Sequence, residues 1–399
     1  MNAPEHRFRR YVLKFLAWFA LGLGAVVAFG LAIDPYAFSW PHRHLDPAFR
    51  ENDLEVRMNI VSQLQLDVLL IGNSRAQHGL DPHNSVFGNE RVFNAAVVNG
   101  KPGDLGPVVA LAERNHPLKM VVMAIDYNML YDGAERRILN ENLLRRGGLF
   151  ATPARVRAVL SVGALWVGAL ELLRYFRGRD HVLDEDGRVL EPLYQHDIER
   201  RGGTLAAVRQ RDDEAMVHMT EKPGTSFLQG MNDIVDPLCA NGTRVVLFIS
   251  PMHVRQLEAI EQAGKWNDFV DWKRSATELS NSKAGCDIAL WDFARHSKVT
   301  EEPVPEFGPM KYYWESSHYR KVVGDAMLYA SVGRESDPGA WQAKFGDDFG
   351  SSFGERLTPA NFLESMQREN TARDAWQKAN SDIVSDVASL KKSAAAYGE

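Results

Sequence analysis

The stretch 66-LDVLLIGNSR-75 decides how this chain reads. Residues 66–71 are apolar and β-prone, and Gly72-Asn73-Ser74 then breaks the run, so a buried strand delivers a serine onto a tight turn. Ligands of open α/β sheets bind outside the carboxyl ends of the strands. Ser74 therefore stands where a nucleophile is useful, provided a base reaches it. The competing reading makes it the N-cap of the next helix, its hydroxyl accepting a backbone N–H.

Working outward, runs of strand length at 66–72, 91–95, 119–125, 243–250 and 287–293 alternate with helical spacing. That alternation predicts an α/β fold with a parallel sheet of about five strands flanked by helices. The Val, Ile and Leu content of the runs suits strands covered on both faces. A helical insertion occupies about 130–223, and its segment 159–173 is markedly apolar. Glu171 and Arg174 interrupt it, so a cap over the sheet fits better than a second membrane span. Asp184-Glu185-Asp186-Gly187 reads as a turn and lacks calcium-loop spacing. Residues 66–332 form the predicted α/β domain. Beyond it, 333–399 reads as a polar helical tail, with Ile383, Val387 and Leu390 at helical spacing for local packing or a protein contact.

Ahead of the domain, residues 1–14 carry four basic side chains and residues 15–33 carry no charge. As a helix, 15–33 rises about 28 Å, close to the hydrocarbon thickness of a bilayer. Basic residues on its N-terminal side place that end in the cytoplasm and the rest outside. The expectation is a single-pass membrane protein with its C-terminal domain outside the cytoplasm, and with Trp18 and Trp40 near the two interfaces. A cleaved signal peptide is the rival, since Gly30-Leu31-Ala32 is a small-x-small site, but the apolar run exceeds an ordinary h-region. Residues 34–65 read as a linker and a first helix.

A net charge of -6 over 399 residues gives no case for nucleic acid. The histidines are scattered, and neither a metal-ligand spacing nor a phosphate-cradling glycine loop occurs, so no cofactor is expected. Two cysteines, Cys239 and Cys286, are too few for a zinc site. Each precedes a predicted strand, which leaves a disulfide or two buried thiols open.

The candidate base is His318, in Glu315-Ser316-Ser317-His318. A neutral imidazole can take a serine proton, and a carboxylate on its other nitrogen fixes the tautomer. Positions i and i+3 of a helix share a face, so Glu315 can meet His318 if a helix begins here. The plainer reading is a capped start of a helix over 319–329. His253 and Arg255 follow the fourth strand and, with Arg75, Asn94 and Asp126, are candidates for holding substrate. Candidate oxyanion donors are the N–H of Ser74, a glycine after the second strand and an asparagine after the third.

Gly72-Asn73-Ser74, Gly100, Asn128 and Glu315-x-x-His318 together resemble the four-block order of the SGNH/GDSL hydrolases. More narrowly, they resemble membrane-anchored SGNH-like proteins of bacterial polysaccharide modification, such as those of alginate acetylation. The resemblance implies a flavodoxin-like, SGNH-type sheet over about 60–332. It makes Ser74 the nucleophile, His318 the base with Glu315 behind it, and Ser74 N–H, Gly100 N–H and the Asn128 side chain the oxyanion hole. It departs from the family at Asn73 and Glu315, where aspartate is usual, and at Asp126-Tyr127-Asn128, where Asp126 is the alternative inward residue. It implies O-acetyl transfer or ester hydrolysis on an extracellular polysaccharide, by a single-pass protein of the bacterial inner membrane whose C-terminal domain is periplasmic, with a membrane-bound partner supplying acyl groups. A non-catalytic glycan-binding or assembly subunit of an export complex is the alternative, and a membrane-tethered scaffold the third reading.

Overall fold

The computed structural model describes residues 3–34, 36–37, 46–131, 161–178, 183–219, 223–224 and 227–397. Trp40, much of the linker and the 132–160 part of the insertion lie outside the described residues. The chain divides into two compact units, 1–63 with 137–181, and 64–136 with 182–399.

In the first unit, α1 (Ala3–Ile33) is followed by α2 (Asp46–Val61) and, after the first part of the second unit, by α5 (Val162–Phe176). Segment Arg7–Ile33 of α1 is long and apolar enough to cross a membrane, the one such helix among the described residues. α5 packs on α1 and α2. The insertion is therefore not one cap: α5 belongs to the unit that contains the N-terminal helix.

The second unit is an α/β sandwich. Its strands are β1 (Val68–Ile71), β2 (Val92–Asn94), β3 (Met120–Ile125), β4 (Arg244–Ile249), β5 (Ile288–Asp292) and β6 (Glu355–Leu357), in the order β2-β1-β3-β4-β5-β6. The first five are parallel, and the register Val68↔Val92 and Val68↔Met120 sets β1 between β2 and β3. The order reverses at β1 and β3, so the carboxyl end of β1 opens onto a crevice. All of Val68–Ile71 is fully buried, as strands covered on both faces require.

The sixth strand is a departure from the expected five. β6 runs antiparallel to β5, pairing Leu290↔Leu357 and Asp292↔Glu355. Three residues among glycines and charges carry too little pattern to be read as a strand. It also draws the tail into the sheet unit. The last helices, α13 (Phe362–Ala379) and α14 (Ser381–Tyr397), complete the unit, and Val387 with Ile383 and Leu390 packs against Met216 and Ala259. The helical repeat of these residues thus marks local packing.

Two glycines join the two ends of the site. α3 (Ser74–Gly79) carries Ser74 at its first position, and α11 (Lys321–Ser331) begins just after His318. A Cβ on Gly324 would lie 1.8 Å from the backbone oxygen of Gly79, so the two backbones meet at a distance only glycine allows. The disulfide Cys239–Cys286 closes at a Cα–Cα distance of 5.3 Å, at the amino ends of β4 and β5. The structure resolves the open question of these cysteines in favour of a pair.

Candidate active site

Ser74 owes its position to its neighbours. Gly72 has φ +151°, and a Cβ there would fall 2.7 Å from Ala124 Cβ and 2.9 Å from Ala76 Cβ. The strand can therefore turn sharply into α3 only through glycine. Asn73, not Ser74, is the N-cap: its side chain accepts the Arg75 N–H at 3.0 Å. That relieves Ser74 of capping and leaves its hydroxyl for another partner. The partner is His318, whose Nε2 lies 2.8 Å from Ser74 Oγ.

His318 and Glu315 do not share a helical turn. Residues 312–320 form a tight antiparallel turn, with Tyr313 bridged to Tyr319, Trp314 N–H donating to His318 O (2.9 Å) and Arg320 N–H donating to Tyr312 O (2.7 Å). The helix starts at Lys321, later than expected. Across the turn, His318 Nδ1 donates to Glu315 Oε1. This bond sets the tautomer, leaving the Nε2 lone pair toward Ser74. The other Glu315 oxygen accepts the Ser317 N–H at 2.6 Å.

The sequence reading missed two residues that complete this arrangement. Both come from the second half of the insertion, α6 (Glu191–Arg200) and α7 (Thr204–His218). The buried Tyr194 hydroxyl donates to Glu315 Oε1 at 2.9 Å and lies 2.7 Å from His318 Nδ1. Arg211 Nε approaches the same oxygen at 3.4 Å. The His78 ring packs edge-on against both Tyr194 and His318.

These surroundings set the ionisation of the pair. Burial alone would raise the Glu315 pKa, but the His318 ring, the Arg211 guanidinium and the Ser317 N–H together hold it down to about 2. Burial pushes His318 below its usual range, helped by Arg211 and Arg75 and opposed by Glu315. Burial and the Glu315 charge raise Tyr194, so it stays a hydroxyl donor. A charged carboxylate beside a neutral imidazole is the resting state that a general base needs.

A cavity of about 90 Å³ opens beside Ser74 and His318. Arg211, Glu214, Ala215 and His218 line it from one face of α7, at i, i+3, i+4 and i+7 spacing. That spacing was the one signal in the sequence for this wall, and it is indistinguishable there from an ordinary amphipathic helix. Asn99, Asn128, Gln256 and Ser317 add polar groups, and Met219, Met252 and Ile260 apolar ones.

The expected residues divide under this geometry. Asn128 lines the cavity, its Oδ1 accepting from Asn73 Nδ2 at 3.3 Å. The Ser74 N–H, first in α3, has no intrahelical acceptor. Gly100 does not fit the expected oxyanion hole, because its N–H donates to Val97 O at 2.9 Å. Its neighbour Asn99, at φ +53°, faces the cavity instead.

Among the five substrate-binding candidates, Arg75 alone lines the cavity. It is anchored by Asp126 at 3.2 Å and donates to Ser317 Oγ at 3.2 Å. Asp126 is buried between Arg75 and Ser250, so it positions Arg75 rather than facing a ligand. Asn94 is buried too, its amide donating to the carbonyls of Ala76 and Leu80 and so tying α3 to β2.

His253 caps α9 (Val254–Gln262), Nδ1 accepting from Arg255 N–H and Nε2 donating to Glu302 O at 2.6 Å. With both nitrogens engaged and burial lowering its pKa to about 4, it is a structural histidine. Arg255 is locked between Asp212 (2.5 Å) and Asp386 (2.6 Å) and has no reach to a substrate.

No family model matches the chain, and no curated protein sequence matches it either. The described residues hold no group of three or more His, Cys, Asp or Glu side chains that could bind a metal ion.

Proposed function

We propose that this protein is a serine O-acyl esterase or acyltransferase of SGNH-type, flavodoxin-like architecture, acting on O-acetyl groups of an extracellular polysaccharide. The observation that carries the reading is the chain Ser74 Oγ–His318 Nε2 at 2.8 Å with Glu315 behind Nδ1. Such a relay has a specific use in acyl transfer. Ser74 Oγ attacks the ester carbonyl carbon while His318 Nε2 takes its proton, and Glu315 stabilises the imidazolium. The carbonyl electron pair collects on the oxyanion, toward the Ser74 N–H and the Asn128 amide. Collapse breaks the ester C–O bond, and His318 returns the proton to the leaving alcohol. Water or a sugar hydroxyl then repeats the sequence on the acyl-serine, giving hydrolysis or transfer.

The polar lining, rich in asparagine, glutamine and serine, suits a polyhydroxylated ligand. The apolar α1 supports anchoring in an inner membrane with the sheet unit in the periplasm, near a membrane-bound acyl donor. A disulfide accords with an oxidising compartment.

The test is acetate release from a chromogenic acetyl ester by the full chain, beside Ser74→Ala and His318→Ala. Loss of release in both variants with an unchanged circular-dichroism spectrum supports the proposal. Turnover surviving in both variants removes the catalytic assignment.

A further inference from the structure

α5 has an outer face that no part of the described structure covers. Val162, Trp166, Ala169, Leu173 and Phe176 follow one another at i, i+4, i+7, i+11 and i+14, which places them on a single stripe of the helix. All five are exposed, Val162 at 83%, Trp166 at 62% and Phe176 at 79%. No charge lies on the stripe. The charged Glu171 sits on the opposite side, where Ala164, Val167 and Gly168 are buried and one Glu171 carboxylate oxygen is out of solvent. An apolar stripe of this extent signals an interaction surface rather than a stray exposed side chain.

What α5 rests on identifies the occupant. A Cβ at Gly168 would touch the Phe29 ring at 3.0 Å and Ile33 at 3.3 Å, so the helix lies against the end of α1. The most apolar stretch of α1 is itself almost entirely exposed. Phe15, Phe19 and Leu31 of α1 are exposed as well, so both helices of this unit present apolar surface that nothing else among the described residues of the unit buries. At 15 residues α5 spans about 22 Å, short of the roughly 30 Å hydrocarbon core, so it does not cross. Its C-terminal turn carries Arg174, Tyr175 and Arg177, a basic and aromatic end of the kind that sits among phosphate headgroups.

We propose that α5 is an interfacial helix, lying in the outer membrane–water boundary beside the end of α1 with its stripe in the acyl region of the lipid. This rests on reading α1 as a membrane anchor. The sheet unit would then be held by two membrane contacts instead of a single tether.

The test uses the full chain in phosphatidylcholine–phosphatidylglycerol vesicles. The native cysteines are paired, so single cysteines at Trp166, Leu173, Leu21 and Glu364 can each carry an environment-sensitive fluorophore. Depth is read by quenching from nitroxide-bearing lipids. Expected are blue-shifted, lipid-quenched emission at positions 166, 173 and 21, and water-like emission at 364. Quenching at 21 with water-like emission at 166 and 173 overturns the α5 proposal while sparing the anchor. Blue-shifted but unquenched emission at 166 and 173 means a protein covers the stripe, and overturns it as well. Absence of quenching at 21 removes the anchor reading, and the proposal with it.

Discussion

Gly324→Ala is a one-methyl change whose consequence can be worked from the structure. The added Cβ would sit 1.8 Å from the Gly79 backbone oxygen, where a C···O contact needs about 3.3 Å. The obstacle is backbone, so no side-chain rotation relieves it. α3 and α11 must separate by roughly 1.5 Å, the difference between those two distances. Two energies compete. Alanine in a helix interior gains about 1 kcal/mol over glycine, whereas overpacking of this kind costs about 1–3 kcal/mol. An obstacle of backbone belongs at the costly end of that range, so the second prevails, with a net loss of up to about 2 kcal/mol.

The same separation moves His318 relative to Ser74, and their 2.8 Å hydrogen bond does not survive a displacement of that size. A 1 Å misplacement of reacting groups costs about 100-fold in rate. Urea melts report the first effect, and the rate of Ser74 modification by a fluorophosphonate probe reports the second. Gly103→Ala is the matched control, because a Cβ there meets nothing within 4 Å. A Gly324→Ala protein with wild-type stability and wild-type labelling would refute the argument that this contact holds the site together.

Ester hydrolysis should rise as pH climbs through a His318 pKa lying below the ordinary value of 6.5, since only the neutral ring accepts the serine proton. Arg211→Met removes a positive charge that depresses that pKa, so the acid limb should move to higher pH in a pH–rate profile. Tyr194→Phe takes away the hydroxyl donated to Glu315 and should lower kcat more than KM, with a stability loss of about 1 kcal/mol in denaturant melts. Replacing Cys239 and Cys286 by serine releases a crosslink of sequence separation 47 and should cost about 4 kcal/mol at 25 °C. The hydrolysis rate should hold, because the bridge lies at the amino ends of β4 and β5 and Ser74 at the carboxyl end of β1.

Much of the sheet unit was legible because its strands are local patterns. Residues 66–71 and 119–125 are dense in β-branched and apolar side chains, and chain order then favours parallel pairing. The meeting of Ser74, Glu315 and His318 was partly legible, because a serine after a strand-ending glycine and a carboxylate three residues before a histidine stand in recognisable positions. What the sequence could not give is which polar groups are already satisfied. His253 and Arg255 follow a strand as binding residues often do, yet Glu302, Asp212 and Asp386 engage them from segments far along the chain. Gly100 has the right place in the chain, but its N–H is turned into a local bond with Val97.

Tyr194 and Arg211 mark the same limit from the other side. Neither lies in a motif, and each reaches Glu315 only because α6 and α7 pack beside the turn that bears it. The sequence by itself determined the alternation of strands and helices, the apolar N-terminal helix and the residues with reactive chemistry, all of which follow from side chains and their nearest neighbours. Tertiary structure alone decided that His318 meets Ser74, that β6 closes the sheet edge and that α5 sides with α1. Those outcomes depend on hydrogen bonds and van der Waals contacts between residues that covalent order leaves far apart.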